Sequence, residues 1–187
     1  MKKLALALLA FVLPLTDSGA SDATSVIQFS FDALCKTSVR IAHVTCISSE
    51  PFLAEDGVRT QTRFRVVEGV KGEVGQEIEI ALPGGQVDGQ HVAVAGMPTF
   101  VPGQETVLFL SGPDGSGSPW PVGLGQGCYR VTRNGTPDSQ VHLRSGSTPI
   151  PEGAAFKPTL SGSRLVDLKV FLDKVRETVT VSPADEK

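Results

Sequence analysis

Three cysteines, three histidines and a single tryptophan are the side chains in this chain best suited to chemistry. The cysteines are Cys35, Cys46 and Cys128, and no two are spaced as C-x-x-C. That spacing excludes a thioredoxin-like redox motif and a zinc knuckle. Three thiols allow one bridge in three pairings. Either Cys35 bridges Cys46, because a short helix leading into a strand could bring the two together, with Cys128 the odd thiol, or all three remain free thiols. His43, His91 and His142 lie far apart, without H-x-H or H-E-x-x-H spacing, so they read as separate edge or surface histidines rather than a zinc set.

Cys128 follows Gly125-Gln126-Gly127, small neighbours that expose a thiol. A nucleophile partnered by a histidine is therefore an alternative, but the run after it alternates as a strand with Tyr129 and Val131 inward. The carboxylates are spread over strand exteriors and form no acid/base pair. Gly84-Gly85 and Gly123-x-Gly125-x-Gly127 lack the strand-to-helix setting of a phosphate loop and read as turn and bulge glycines. No residue is assigned a catalytic role, no metal ligands are assigned, and no cofactor is called for. The binding candidates are Trp120, held between Pro119 and Pro121 in a Gly/Ser/Pro loop, where it either anchors a partner or folds back over a barrel mouth, and Met97 and Phe100 in an apolar Pro/Gly-rich bend.

The elements that must position these residues are short. Across 187 residues there are 20 Gly and 13 Pro, against 6% aromatics, which suits many strands joined by turns. A net charge of -3 offers no basic face for nucleic acid. Met1-Lys2-Lys3, the apolar run Leu4–Leu15 and Ser18-Gly19-Ala20 have the layout of a secretory signal peptide over residues 1–20, cleaved near Ala20, with Ala23 as second choice. The remaining chain carries no membrane span, so the expected location is exported, periplasmic or secreted.

Residues 21–37 form an N-terminal segment with a short helix near Phe31–Thr37. Residues 38–145 form the β domain, 146–160 a linker, 161–179 a C-terminal amphipathic helix and 180–187 a tail. Strands are expected at Val39–Ile47, with a bulge near Ala42-His43, and at Val58–Glu68, where Thr60, Thr62, Phe64 and Val66 share the core face. Further strands are Gln76–Leu82 with Ile78, Ile80 and Leu82 inward, His91–Ala95, Thr106–Leu110, and the hairpin Cys128–Arg133/Gln140–Arg144 around Asn134-Gly135. Ser48–Asp56 reads as a loop. Arg63 and Arg65 face Glu77 and Glu79 across a hairpin. In the terminal helix Leu165, Leu168, Leu172, Val175 and Val179 make the apolar stripe, widened by Val166 and Phe171 and capped by Ser161 or Ser163. The fold class is all-β and mainly antiparallel: a small OB-like barrel of about five to seven strands with the C-terminal helix packed on it.

The order TQTRFRVVEGVKG, then PGG, then GMPTFVPGQETVLFL, then GLGQGCYRV resembles a set of uncharacterised exported bacterial β-barrel proteins over about Ser38–Val131. More loosely, the strand ending at Val66–Glu68, the Lys71-Gly72 turn and the Gly103-Gln104 start of the next strand resemble the OB-type barrel of netrin-like and tissue inhibitor of metalloproteinase domains. Inhibitors of that kind chelate zinc through an N-terminal Cys. Here Ser21 takes that place, so the resemblance carries a fold and a compartment but no inhibitory chemistry. The function expected is a non-enzymatic binding module for another protein or an envelope component. The alternatives are a protease-associated or hydrolytic protein using Cys128 or a His-based metal site, and a structural envelope accessory.

Overall fold

The computed structural model describes residues 27–115, 117–133, 138–143, 157–158 and 164–181. The leader, its cleavage point, the Asn134-Gly135 turn, most of the linker and residues 182–187 of the tail lie outside these residues, while Thr180 and Val181 belong to the terminal helix.

In chain order the elements are α1 (Phe31–Thr37), β1 (Arg40–Ala54), β2 (Gly57–Lys71), β3 (Glu77–Pro83), β4 (Gly85–Val87), β5 (Gln90–Val92), β6 (Glu105–Pro113) and β7 (Pro119–Pro121). A 3-10 turn over Leu124–Gly127 leads into β8 (Cys128–Arg133) and β9 (Ser139–Leu143), followed by β10 (Lys157–Pro158), β11 (Arg164–Asp167) and α2 (Leu168–Val181). All pairings are antiparallel. The main sheet runs β10-β11-β9-β8-β6-β1-β2-β3, with β7 also on β6, while β4 and β5 pair only with each other.

β6 is the shared wall of two cores. Its VLFL run, Val107–Leu110, is apolar at every position, as a strand covered on both faces requires. Val107 and Phe109 point to one core, with Phe31, Leu34, Ile41, Tyr129, Val141, Phe171 and Val175. Leu108 and Leu110 point to the other, with Val44, Cys46, Phe64, Ile78, Ile80 and Leu82. Phe109, Tyr129 and Phe171 contact one another edge-on or tilted at centroid distances of 4.9–6.5 Å. Full burial of each large apolar side chain contributes roughly 1.5–3 kcal/mol.

The expected barrel is not closed. The sheet curls so that β3 approaches β7, but no ladder joins them. The cause is chemical. Pro119 and Pro121 have no N–H, and the remaining donor of β7, the Trp120 amide, goes to Ser111 Oγ at 3.2 Å. β7 therefore has no backbone donor to offer β3. The bond across the gap is Ala81 N–H to Ser118 Oγ at 3.1 Å. The strand number also exceeds the five to seven expected, because β7, β10 and β11 extend the main sheet to nine.

β1 does not stop at Ile47. It continues through Pro51 to Ala54, and the turn is confined to Glu55-Asp56. Pro51 is tolerated because β6 pairs only with Arg40–Thr45, which leaves the outer edge of the distal half without a ladder to break. Register shifts fall at Ile41/Ala42 and His43/Val44, where a bulge was expected, and Ile41 and Val44 end on opposite faces. On β2 and β3 the inward residues are as read, with Phe64, Ile78, Ile80 and Leu82 buried. Arg63 lies opposite Glu79 and Arg65 opposite Glu77, although Glu79 takes its hydrogen bond from Gln61.

The C-terminal helix starts later than its apolar period suggests. Arg164–Asp167 is a strand on β9, with Leu165 and Val166 both buried. Asp167 Oδ1 then accepts from the backbone N–H groups of Lys169 and Val170 at 2.9 and 3.2 Å and caps α2. The expected cap at Ser161 or Ser163 falls outside the described residues. From Leu168 onward the stripe is as read: Phe171, Leu172 and Val175 are buried, and Leu168 and Val179 pack beside them.

Candidate binding site

A cavity of about 460 Å³ opens at the end of the curled half of the sheet, beyond Phe64. Its floor is the inner face of the β1–β2 hairpin and the end of β3, contributing Ser49, Pro51, Thr60, Thr62 and Leu82. Its roof is the β4–β5 flap and the chain after it, contributing His91, Val92 and Val94. Its inner end is the bend with Met97 and Phe100. Among the described residues that line it, none is Asp, Glu, Lys or Arg, and His91 is the one ionisable side chain.

Each wall follows from local sequence. Phe100 is buried and stands edge-on to Phe64, with centroids 4.9 Å apart and planes at 88°. The bend itself is anchored to the 3-10 turn through Gly125 N–H and the Gly96 carbonyl at 2.9 Å. The flap leaves β3 at Pro83. Gly84 N–H bonds the Val58 carbonyl at 2.8 Å, and the Thr60 hydroxyl donates to the Gly84 carbonyl at 2.7 Å. Gly85 has φ 133°, and a Cβ there would lie 2.7 Å from Thr60 Oγ1 and 3.0 Å from Pro51 Cβ. Only glycine lets the flap come this close. On the floor, Ser49 Oγ and Thr62 Oγ1 share one hydrogen bond at 3.3 Å, with Thr62 2% exposed.

The structure thus brings together two of the three binding candidates. Met97 and Phe100 line the cavity, whereas Trp120 does not. Trp120 is half-buried against the same core, and its indole N–H donates to Asp114 Oδ2 at 2.7 Å. Composition hid Ser49, Thr60, Thr62, Val92 and Val94. The one readable sign was that Thr60 and Thr62 occupy the core face of a strand, where polar residues need a reason.

The candidate Cys35–Cys46 bridge is not formed. Cys35 packs with the helices and Cys46 in the curled half, on opposite faces of the sheet, and the three cysteines form no disulfide. Burial, followed by the nearby Asp32 charge, pushes the Cys35 thiol up to about 12. Burial also raises Cys46. Cys128 is half-buried, and its thiol hydrogen points to the Leu124 carbonyl at 3.9 Å.

The histidines are separately engaged. Buried His43 bonds Glu105 through Nε2 at 3.0 Å, and Arg133 holds the other oxygen of that carboxylate at 2.9 Å. His142 bonds the Thr132 hydroxyl at 2.9 Å, and burial, then the Arg130 charge, lowers its basicity. His91 lies on the flap. No group of three potential metal ligands occurs among the described residues. No described helix is long and apolar enough to cross a membrane.

The fold and site define a class: an open, mainly antiparallel sheet with helices on one face and a small cavity in its curl. Comparison with family models, with curated proteins and with solved structures finds no match.

Proposed function

We propose that this protein is an exported, non-enzymatic binding module whose ligand seat is the cavity bounded by Met97 and Phe100. The observation that carries this reading is the cavity itself, an apolar, preformed concavity with a few hydroxyls turned into it, the usual composition of a ligand site. The leader-like N-terminus supports export, and the curl of β6, β1, β2 and β3 around an apolar interior supports the looser, architectural resemblance to an OB-type barrel. The absence of any backbone ladder from β3 to β7 makes it an incomplete version of that barrel.

The test is amide NMR of the mature chain titrated with uncharged aromatic and aliphatic fragments. The expected result is a set of saturable shifts centred on Val92, Val94, Met97 and Phe100. Shifts centred on Trp120 or Cys128 instead, or no saturable shifts, would overturn the assignment.

A further inference from the structure

We infer that the cavity selects an uncharged, mainly apolar small molecule that presents a hydrogen-bond acceptor to the Ser49–Thr62 hydroxyl pair. This rests on the binding reading above and goes beyond it to the chemistry of the ligand. Three observations converge. First, no Asp, Glu, Lys or Arg faces the cavity among the described lining residues and His91, on the exposed flap, is its one ionisable side chain, so a ligand charge would lose its hydration there with no permanent charge to replace it. Second, the lining is dominated by Leu82, Val92, Val94, Met97 and Phe100, which reward apolar surface.

Third, the hydroxyls on the floor are not used up by their own bond. Two hydroxyls that share one hydrogen bond have two hydrogens between them, and only one lies in that bond. Thr60 differs, because its hydrogen is committed to the Gly84 carbonyl. The second hydrogen of the Ser49–Thr62 pair is therefore a donor on the cavity floor, where Thr62 is almost fully buried, whereas Thr99 and His91, the remaining lining side chains with polar hydrogens, are exposed. A ligand carbonyl or ether oxygen satisfies it. A pure hydrocarbon leaves it idle.

Fluorescent probes test this on the mature chain. Nile red is neutral and carries acceptors, pyrene is neutral and lacks them, and anilinonaphthalene sulfonate is anionic. The expected result is saturable Nile red binding, with the anion about tenfold or more weaker. Val94→Trp, which fills the cavity from a half-exposed position, should abolish the binding of both neutral probes. Ala93→Trp serves the same purpose if that variant does not fold. The double variant Ser49→Ala with Thr62→Val, which removes both hydroxyls, should weaken Nile red by roughly five- to tenfold, the loss of one neutral hydrogen bond, and leave pyrene unchanged. If the anion binds as tightly as Nile red and is displaced by the filling variant, the ligand class is wrong while the site stands. Equal losses of Nile red and pyrene in the double variant would overturn the donor role. If no probe responds to filling the cavity, the binding reading itself is wrong.

Discussion

The backbone N–H of Ala81 on β3 donates to the hydroxyl of Ser118, 3.1 Å away across the gap that separates β3 from β7. One side-chain bond stands where a closed barrel would have a ladder. Ser118→Ala should therefore lower stability by about 1 kcal/mol and raise the hydrogen-exchange rate of the Ala81 amide above those of its neighbours. An Ala81 amide as protected in the variant as in the parent would mean that something other than Ser118 covers the edge.

Gly85→Ala tests the approach of the flap. The added methyl meets Thr60 Oγ1 and Pro51, at a backbone angle that side-chain-bearing residues rarely adopt. A loss of about 1–3 kcal/mol is expected, together with weakened probe binding in the cavity. Unaltered unfolding in urea would show that the flap does not sit down on the hairpin as described.

Burial of Cys35 predicts a pH response. Its folded value of about 12 lies above the ordinary thiol value of 9.0, so the folded state favours the neutral form. The stability this thiol contributes is complete below pH 9 and is lost as pH rises from 9 towards 12, where the unfolded chain ionises first. Denaturation curves across that range should fall more steeply for the parent than for Cys35→Ala. Matching slopes would refute the assignment.

His142 gives the opposite arm. Its folded value is lowered from 6.5, so the unfolded chain binds the proton more readily. Its contribution is present above pH 6.5 and is lost as pH falls below it. His142→Gln should flatten the acid side of the stability profile. A profile as steep as the parent's would refute the assignment.

Asp167→Ala removes the acceptor at the start of α2 and should cost about 1 kcal/mol. The amides of Lys169 and Val170 should lose protection, while Val175, deep in the core, keeps it. Uniform loss along the helix would indicate that Asp167 matters for more than the cap.

Sequence patterning reached far into this fold, and where it stopped is physically clear. The period of two placed Phe64, Ile78, Ile80 and Leu82 inward because one face of β2 and β3 is buried and the other wet. The two-sided apolarity of Val107–Leu110 marked a strand with cores on both sides. Pro51 misled because a proline usually ends a strand, and only the absence of a neighbour on its outer edge permits it here. Leu165 and Val166 misled because two adjacent apolar residues fit either a helix stripe or the two faces of a strand. Closure of the barrel could not be read at all. It depends on whether β3 meets a donor, and the residues that fail to supply one, Pro119 and Pro121, lie more than thirty positions away in the chain. Of the site, Met97 and Phe100 were legible as apolar side chains in a bend. The hydroxyl floor was not, since Ser49 lay in what read as a loop.

β6 has a consequence for how this chain can change over time. Its alternate residues belong to different cores, so neither half has a wall of its own. A gene segment that encodes one half cannot be duplicated, exchanged or lost without exposing an apolar strand of the other. Of the segments that join the strands, the hairpin tip at Glu55-Asp56 stands clear of both cores. The two halves therefore form, or fail to form, as one indivisible unit.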